Sequence, residues 1–181
     1  MGDRAEARKR INDFTDKNER QLVDILTKFE AQYNKFMEDT ESESILQIIL
    51  RAHLYIEYEL TEILNKTLKH PNELGTNINF SMKLKLLLAL DAIPPELKDP
   101  IKHLNTLRNK YAHELNYQFD ERMYDEFCNS LSGKLNSTRL VPSDECLTKR
   151  LRDALCSLWI ELIELRLINE DLRKDLVYIY I

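Results

Sequence analysis

The amino-acid sequence predicts an all-α protein, an up-and-down bundle of about five to six helices. Only three glycines and five prolines occur in 181 residues, while leucine, glutamate, lysine and isoleucine are abundant, which is typical of helical proteins. Apolar residues also recur at the three-to-four spacing of an amphipathic helix through most of the chain. A chain of this length is expected to form one domain with a substantial core.

The first part of the chain contains two predicted helices and a loop. Residues 1–14 alternate in charge with little apolar content, and they are expected to form a charged arm, either a frayed helix or a mobile segment, before a single domain of residues 15–181. A helix is predicted from Thr15 to the polar run at residues 38–42. Pro71 and Gly75 then mark a loop. The second helix lies between the polar run and this loop. It is indicated by regularly spaced apolar residues: Ile45, Ile49, Ala52, Ile56, Leu60 and Ile63.

Capping and proline signals place the next two helices. Ser81 is the expected cap of the third helix, which should end near residues 92–93 because residues before a proline avoid the helical region. Asp99 followed by Pro100 is a start signal, with the aspartate as cap and the proline in the first helical position. The fourth helix is therefore predicted to run from about Pro100 to Leu115.

Two further helices are predicted near the end of the chain. Asp120 is the expected cap of the fifth helix, residues 133–142 read as a polar connection, and Ser143 is the expected cap of the last helix. Trp159 widens the apolar face of that helix, which favours packing inside a bundle over a free coiled coil. Residues 176–181 alternate with a strand-like bias, and because a lone strand is marginally stable they are expected either to continue the helix or to dock on a neighbour. Leucines recur in the last helix at heptad-like steps: Leu147, Leu151, Leu155, Leu158, Leu162 and Leu165.

Charge and composition restrict the function classes. The formal charge of −5 argues against a nonspecific nucleic-acid coat, so a contact with RNA would be confined to a small basic patch. Cys128, Cys146 and Cys156 form no C-x-x-C pair, and they are interpreted as buried or semi-buried thiols in a reducing compartment. No apolar run is long enough to cross a bilayer, and the first residues are too charged for a signal peptide. We therefore expect a cytoplasmic protein without a membrane partner.

Chemistry-capable residues gather at one place, the stretch from Leu107 to Leu115. Arg108 presents a planar fork of donors suited to phosphate oxygens, and the imidazole of His113 can accept or donate a proton. A phosphate held by the arginine, with a proton moved by the histidine, is sufficient for metal-free phosphodiester cleavage. The ordinary alternative is that these are cations placed near the negative end of the helix dipole.

The spacing of these residues constrains how they can cooperate. Arg108 and His113 are five residues apart, which puts them about 140° apart on a helix, whereas Asn109 and His113, four apart, share one face. A pocket that uses all three therefore straddles the helix, or the helix ends by His113, or a second copy of the chain contributes. A two-fold interface brings the same patch in twice and builds a composite cleft.

This string, with an asparagine directly after Arg108 and an alanine directly before His113, resembles the Arg-x4-His motif of the HEPN superfamily of small helical domains. The segment from Phe80 to Ile93 (FSMKLKLLLALDAI) is similar to the helix that precedes the motif in the mannitol operon repressor-like branch. The resemblance covers residues 45–131 and includes residues 119–121. Leu115 departs from some HEPN toxins, which carry a tyrosine two residues after the histidine.

The resemblance implies a HEPN-like bundle that forms a homodimer and, for many members, cleaves RNA without a metal or cofactor. Arg108, His113 and Asn109 are then the expected catalytic residues: the histidine acts as base or acid, the arginine stabilises the phosphoryl oxygens, and the asparagine orients the phosphate or the histidine. Lys110 and Tyr111 are expected to line the substrate cleft, although Tyr111 suits the core equally well. An antitoxin or regulatory protein partner is implied for some members. The alternative function is a non-catalytic regulator that binds a protein partner.

Other candidate sites are weaker. The string from His113 to Tyr117 begins like a zinc-protease helix but has a tyrosine in place of the second histidine. The chain has no glycine-rich phosphate loop. Glu57, Glu59 and Glu62 lack the Glu-x-x-His pairing of di-iron bundles, so they are interpreted as a solvated acidic face. Of the other histidines, His53 is expected to be a packing residue, His70 a loop residue, and His103 to lie outside the cleft or at its border. We therefore predict no metal and no cofactor.

Overall fold

Six α-helices and two short 3₁₀ helices make up the described part of the chain, and no strand occurs there. The structure is a computed structural model that describes residues 2–42, 44–75, 78–131 and 145–167, with side chains from residue 20 onward. The predicted all-α helical bundle is confirmed. The 3₁₀ helices cover Pro71–Leu74 and Pro95–Leu97. The α-helices are α1 (Gly2–Asp39), α2 (Ile45–Thr67), α3 (Phe80–Ala89), α4 (Lys98–His113), α5 (Glu121–Ser130) and α6 (Leu147–Leu167).

The chain divides into two compact units, Met1–Lys35 and Phe36–Ile181. In the first unit the rings of Phe29 and Tyr33 lie 6.2 Å apart and an ion pair joins Lys28 to Asp24, one turn away. Val23 and Leu26 of this unit are exposed. The separate arm at residues 1–14 stays a prediction.

In the second unit α2 is the central helix, and it packs against α6, α4 and α3. The indole of Trp159 stacks on Phe36, and the edge of Tyr55 contacts both rings. The Tyr55 hydroxyl donates to Asp39, which ties the end of α1 to α2. Burial of these side chains supplies the main stabilisation of the unit. The largest fully buried side chains come from α1, α2, α3, α4, α5 and α6: Phe36, Ile48, Ile49, Ile56, Leu60, Leu87, Ile101, Leu104, Leu107, Phe127, Leu151 and Trp159.

The helix boundaries correct several predictions. Asn79, not Ser81, caps α3, because its side chain accepts a hydrogen bond from the amide of Met82. Asp99 is not a cap either: the 3₁₀ helix before it already provides helical geometry, so α4 begins at Lys98 and Asp99 lies in its first turn. The helix ends at His113, because Glu114 is extended. The predicted cap Asp120 is confirmed, since it accepts from the amide of Met123.

Some predicted features lie outside the described residues. These are the cap at Ser143, the polar connection at residues 133–142 and the segment 176–181. The last described helix begins at Leu147, close to where the heptad-like spacing placed it. Among the described residues, no helix combines the length and the apolarity that crossing a bilayer requires.

The predicted solvated acidic face is wrong for Glu59. This carboxylate is only 1% exposed and accepts two hydrogen bonds from Arg166, Nε to Oε2 at 2.5 Å and Nη2 to Oε1 at 3.3 Å. Lys66 donates to the carbonyl oxygen of Arg166, and the guanidinium lies 5.7 Å from the ring centre of Tyr58. The pair joins the centre of α2 to the end of α6. Glu57 is not freely solvated either, because Lys83 binds it at 2.9 Å.

The three cysteines all lie in the described part of the chain and form no disulfide bond there, and they differ in environment. Cys128 and Cys156 are buried, and burial raises the pKa of the Cys156 thiol to about 12. Cys146 is exposed, which corrects the prediction that it is buried or semi-buried. Its sulfur lies 3.1 Å from the hydroxyl of Thr148, and this hydrogen bond is the main cause that lowers the pKa of the Cys146 thiol.

Candidate functional site

One side of α4 carries a row of polar residues, Asn105, Asn109 and His113, which we refer to as the polar row. The three residues are four apart, so successive members turn by about 40° around the helix and follow one side of it. Arg108 joins this row, because its Nη1 donates to Oδ1 of Asn109 at 3.1 Å. Asn105, Arg108 and Asn109 are half-buried and His113 is exposed. The row therefore begins inside the bundle and ends at its surface.

Arg108 has an amide partner but no carboxylate partner. Among the described residues it forms no ion pair, whereas Arg150 binds Glu121 and Arg166 binds Glu59. A guanidinium stays charged and presents five donors, so a half-buried one usually faces an anion. The positive charge at this position is therefore available to an external anionic group.

His113 is the last residue of α4, and it is exposed. No hydrogen bond or ion pair of its ring with another described residue is found. The backbone beneath it is fixed, because the amide of Glu114 donates to the carbonyl of Lys110 at 2.8 Å. The imidazole is therefore an exposed side chain on the last, hydrogen-bonded turn of α4.

The inner end of the polar row is held by α2. Nε2 of His53 lies 3.2 Å from Oδ1 of Asn105. Because an amide oxygen only accepts, Nε2 carries the proton, and Nδ1 faces the carboxylate of Glu57 at 4.0 Å. The ring of His53 stacks on Phe80 of α3 with centroids 4.4 Å apart. The predicted packing role of His53 is confirmed, and the ring also orients the first residue of the row.

The charges around His53 are mostly positive. Burial is the main cause that lowers the pKa of the His53 imidazole, and the charges of Arg108 and Lys83 lower it further, while the bond to Asn105 and the charge of Glu57 oppose the change. Lys83, in turn, is bound by Glu57. With Glu57 balanced by Lys83 and His53 neutral, Arg108 contributes the excess positive charge of this region.

Lys110 and Tyr111 contact a different segment. The ammonium of Lys110 lies 5.4 Å from the ring centre of Tyr117, and the rings of Tyr111 and Tyr117 meet edge to face at 4.8 Å. Tyr111 is half-buried, its hydroxyl interacts with the backbone of Phe119, and burial raises the pKa of its phenol. These contacts fasten the segment that follows α4. The role of Lys110 and Tyr111 in substrate binding stays a prediction, and the core alternative for Tyr111 has this packing in its favour.

The other two histidines occupy separate positions. His103 is half-buried with its ring 5.7 Å from that of Phe127 on α5, and burial lowers the pKa of its imidazole. His70 is exposed beside the first 3₁₀ helix, so the predicted loop position is confirmed. No group of three or more histidine, cysteine or carboxylate side chains within the described ranges is arranged to hold a metal ion.

Sequence reasoning missed Asn105, Glu57 and Lys83 as members of this region. Asn105 had a local signal, since it lies one helical turn before Asn109. Glu57 and Lys83 had none, because their ion pair joins two helices that are far apart in sequence. Comparison of the chain with protein-family models, with curated proteins and with solved structures finds no match. The HEPN assignment therefore stays a prediction.

Proposed function

We propose that this protein cleaves RNA without a metal ion, with Arg108 binding the scissile phosphate and His113 transferring the proton. The observation that carries the proposal is the half-buried guanidinium of Arg108, which has an amide partner but no carboxylate among the described residues. It lies beside a row that ends in an exposed imidazole. A fixed positive charge next to a titratable group is the combination that phosphodiester cleavage needs.

In the proposed reaction the ribose 2′-oxygen attacks the neighbouring phosphorus. The bond from the 2′-oxygen to phosphorus forms, the bond from phosphorus to the 5′-oxygen breaks, and a 2′,3′-cyclic phosphate and a free 5′-hydroxyl result. His113 accepts the proton of the 2′-hydroxyl as base. Arg108 donates to the non-bridging phosphoryl oxygens as their charge increases, and its bond to Asn109 keeps the guanidinium oriented.

The departing 5′-oxygen also needs a proton, so the reaction uses an acid as well as a base. His53 is unsuited to this step, because it is buried and its pKa is lowered. His113 is thus the one accessible imidazole on the polar row of a chain. A second copy of the chain supplies the second imidazole, and the proposed active form is a homodimer whose two polar rows share a cleft.

Cleavage of a labelled RNA in buffer containing a chelator tests the proposal. Arg108→Ala and His113→Ala are each expected to lower the rate by about 10²–10⁴-fold, since one group stabilises charge and the other moves the proton. Arg122→Ala and His70→Ala are the matched controls: Arg122 is exposed and, among the described residues, pairs with Glu126 alone, one turn away, and His70 lies in a loop. Both controls should keep the wild-type rate.

The product gives an independent test. A cyclic phosphate end should be detected, and a single 2′-deoxy substitution at the scissile position should abolish cleavage there. Loss of activity on addition of the chelator would contradict the metal-free mechanism. Equal, negligible activity of the wild type and all four variants would overturn catalysis and favour the non-catalytic regulator, with a protein partner, in its place.

A further inference from the structure

The outward side of α2 carries an unusual row of large apolar residues. They follow each other at steps of four, so they form a stripe about 18 Å long that turns slowly around the helix. Apolar side chains of a helix normally face a partner, and the opposite side of α2 does so against α6, α4 and α3. The α2 stripe consists of Leu46 (37% exposed), Leu50 (38%), Leu54 (61%) and Tyr58 (54%).

The charged residues beside the stripe have a self-complementary arrangement. Taking Leu54 as the centre line, Arg51 lies about 60° and Glu62 about 80° to the same side, the side on which Tyr58 also lies. Arg51 is one turn before Leu54 and Glu62 one turn after Tyr58. Within the described residues neither Arg51 nor Glu62 has an ion-pair partner within 4.0 Å, although the charge of Glu62 acts on Arg166, which is paired with Glu59. One flank of the stripe thus carries a positive charge before Leu54 and a negative charge after Tyr58.

We propose that the α2 stripe is the contact surface for a second copy of this chain, with the two α2 helices antiparallel. A two-fold axis between Leu54 and Tyr58 packs Leu54 of each copy against Tyr58 of the other. The same axis places Arg51 of each copy beside Glu62 of the other, so both ion pairs form at once. In a parallel pairing the two Arg51 side chains lie at one height but on opposite flanks of the interface, so Arg51 of one copy does not reach Glu62 of the other. The ion pairs between Arg51 and Glu62 therefore require the antiparallel arrangement.

The composition of the stripe and its flank suits such an interface. A stable contact buries about 800 Å² on each partner, with an apolar centre and a polar rim. Leu54 and Tyr58 of the two copies provide the centre, Leu50 and Leu46 lie further from the two-fold axis, and Arg51 and Glu62 belong to the rim. Apolar residues in an interface centre dominate the affinity, whereas the rim charges set the register.

The surface lies next to the candidate site. Glu57 and His53 are on the opposite flank of the stripe, about 60° and 100° from Leu54, and they contact Lys83 and Asn105. Pairing through α2 thus runs along the edge of the region that orients the polar row. Where the α2 dimer is taken to bring in the second imidazole, this inference rests on the proposed function. The proposed contact surface itself depends only on the apolar and charged side chains of α2.

Sedimentation of the full chain over a range of concentrations tests the surface. We expect a dimer for the wild type, and at least about a tenfold weaker dimer for Leu54→Arg and for Tyr58→Asp, because each places a charge in the apolar centre. Leu90→Arg is the control, since Leu90 is also exposed but lies after α3. It should dimerise like the wild type. Unchanged far-ultraviolet dichroism and thermal unfolding of each variant verify that it is folded.

A charge exchange tests the geometry. Arg51→Glu and Glu62→Arg should each weaken self-association, because two like charges then meet twice. When the two variants are mixed, both ion pairs are restored, so a mixed dimer should form at a concentration at which neither variant pairs alone. The proposal would be overturned by any one of three results. These are a monomeric wild type, a Leu54→Arg variant that dimerises like the wild type, and a mixture of the two charge variants that stays monomeric.

These outcomes are independent of RNA cleavage. A dimer that pairs through α2 but cleaves no RNA leaves the surface standing and removes the proposed function. The Leu54→Arg variant can also be assayed under conditions in which it is monomeric. If it then cleaves RNA at the wild-type rate, the proposed chemistry is retained, but the link between the α2 surface and the site is overturned.

Discussion

The two sides of α2 both carry charged groups, but these groups differ in how deeply they are buried and how they are paired. Towards α6, Glu59 and Arg166 are 1% and 10% exposed and meet through two hydrogen bonds between one carboxylate and one guanidinium. Towards α3 and α4, the contacts are spread over several partly exposed groups, and Nδ1 of His53 stands 4.0 Å from Glu57. The first side is thus closed by one buried pair, whereas the second side, which we call the open side, distributes its charges over groups that are 7–31% exposed.

The difference indicates which charges stabilise the fold and which are available for binding. A buried pair that satisfies its own donors and acceptors has little left for a ligand, and its role is to fix the relation between two helices. Arg108 instead spends one donor on an amide and faces partly outward. We therefore expect substitutions towards α6 to affect stability most, and substitutions along the polar row to affect activity most.

The largest effect on stability is expected for Arg166→Ala. This change leaves the carboxylate of Glu59 buried without its partner and should lower the free energy of unfolding by about 3–5 kcal/mol. Urea denaturation measures it. The double variant Glu59→Leu with Arg166→Leu should recover most of the loss, because no charge then remains buried. Arg122→Ala, which removes an exposed pair, should change stability by about 0.5 kcal/mol or less. A loss below 1 kcal/mol for Arg166→Ala would show that the two sides do not differ in this way.

A smaller effect is expected for His53→Leu on the open side. Removing the imidazole leaves the side chain of Asn105 without its partner, which should cost about 1–3 kcal/mol at pH 8. Denaturation of the wild type and the variant under identical conditions measures this loss.

The same variant should also change how stability depends on pH. Because the pKa of His53 is below its ordinary value of 6.5 in the folded chain, the unfolded chain takes up the proton first as the pH falls. The contribution is therefore complete above pH 6.5 and is lost as the pH falls towards the folded pKa. His53→Leu should lose less stability than the wild type between pH 7 and pH 5. Parallel curves for the two proteins would contradict a lowered pKa.

The smallest effect is expected at the start of α3, the helix that supplies Phe80 and Lys83 to the open side. Asn79→Ala removes a cap that bonds the amide of Met82 and should cost about 1 kcal/mol. Ser44→Ala is the matched control, since Ser44 precedes α2 without a side-chain cap bond and should matter less. Equal losses in thermal unfolding would remove the role assigned to the cap.

Local sequence signals predicted the helices but only part of the polar contacts. Asp120 was found because a cap acts on an amide three residues away. Asn79 was missed because Ser81, two residues later, is an equally suitable cap by residue type. The contact of Arg108 with Asn109 joins neighbours in sequence, whereas the partner of Glu59 lies 107 residues away.

The spacing of apolar residues in α2 did indicate that Glu59 is buried, but a charged residue is normally assigned to the exposed face, so the indication was overlooked. Glu59 falls three residues after Ile56 and directly before Leu60, on the face of α2 that is buried. A carboxylate at such a position implies a buried cation, but the sequence does not say which one. The bond between His53 and Asn105 is of the same kind, because it depends on how α2 and α4 pack. Only the three-dimensional arrangement identifies these partners.

The environment of the three sulfurs has a practical consequence. Cys128 and Cys156 are enclosed, while Cys146 is exposed, just before α6, and the pKa of its thiol is lowered. A maleimide reagent should therefore attach to the unmutated chain at Cys146 alone. Each copy then carries one spin label or fluorophore at a known point, and the spacing between labels reports directly on the symmetry of any assembly.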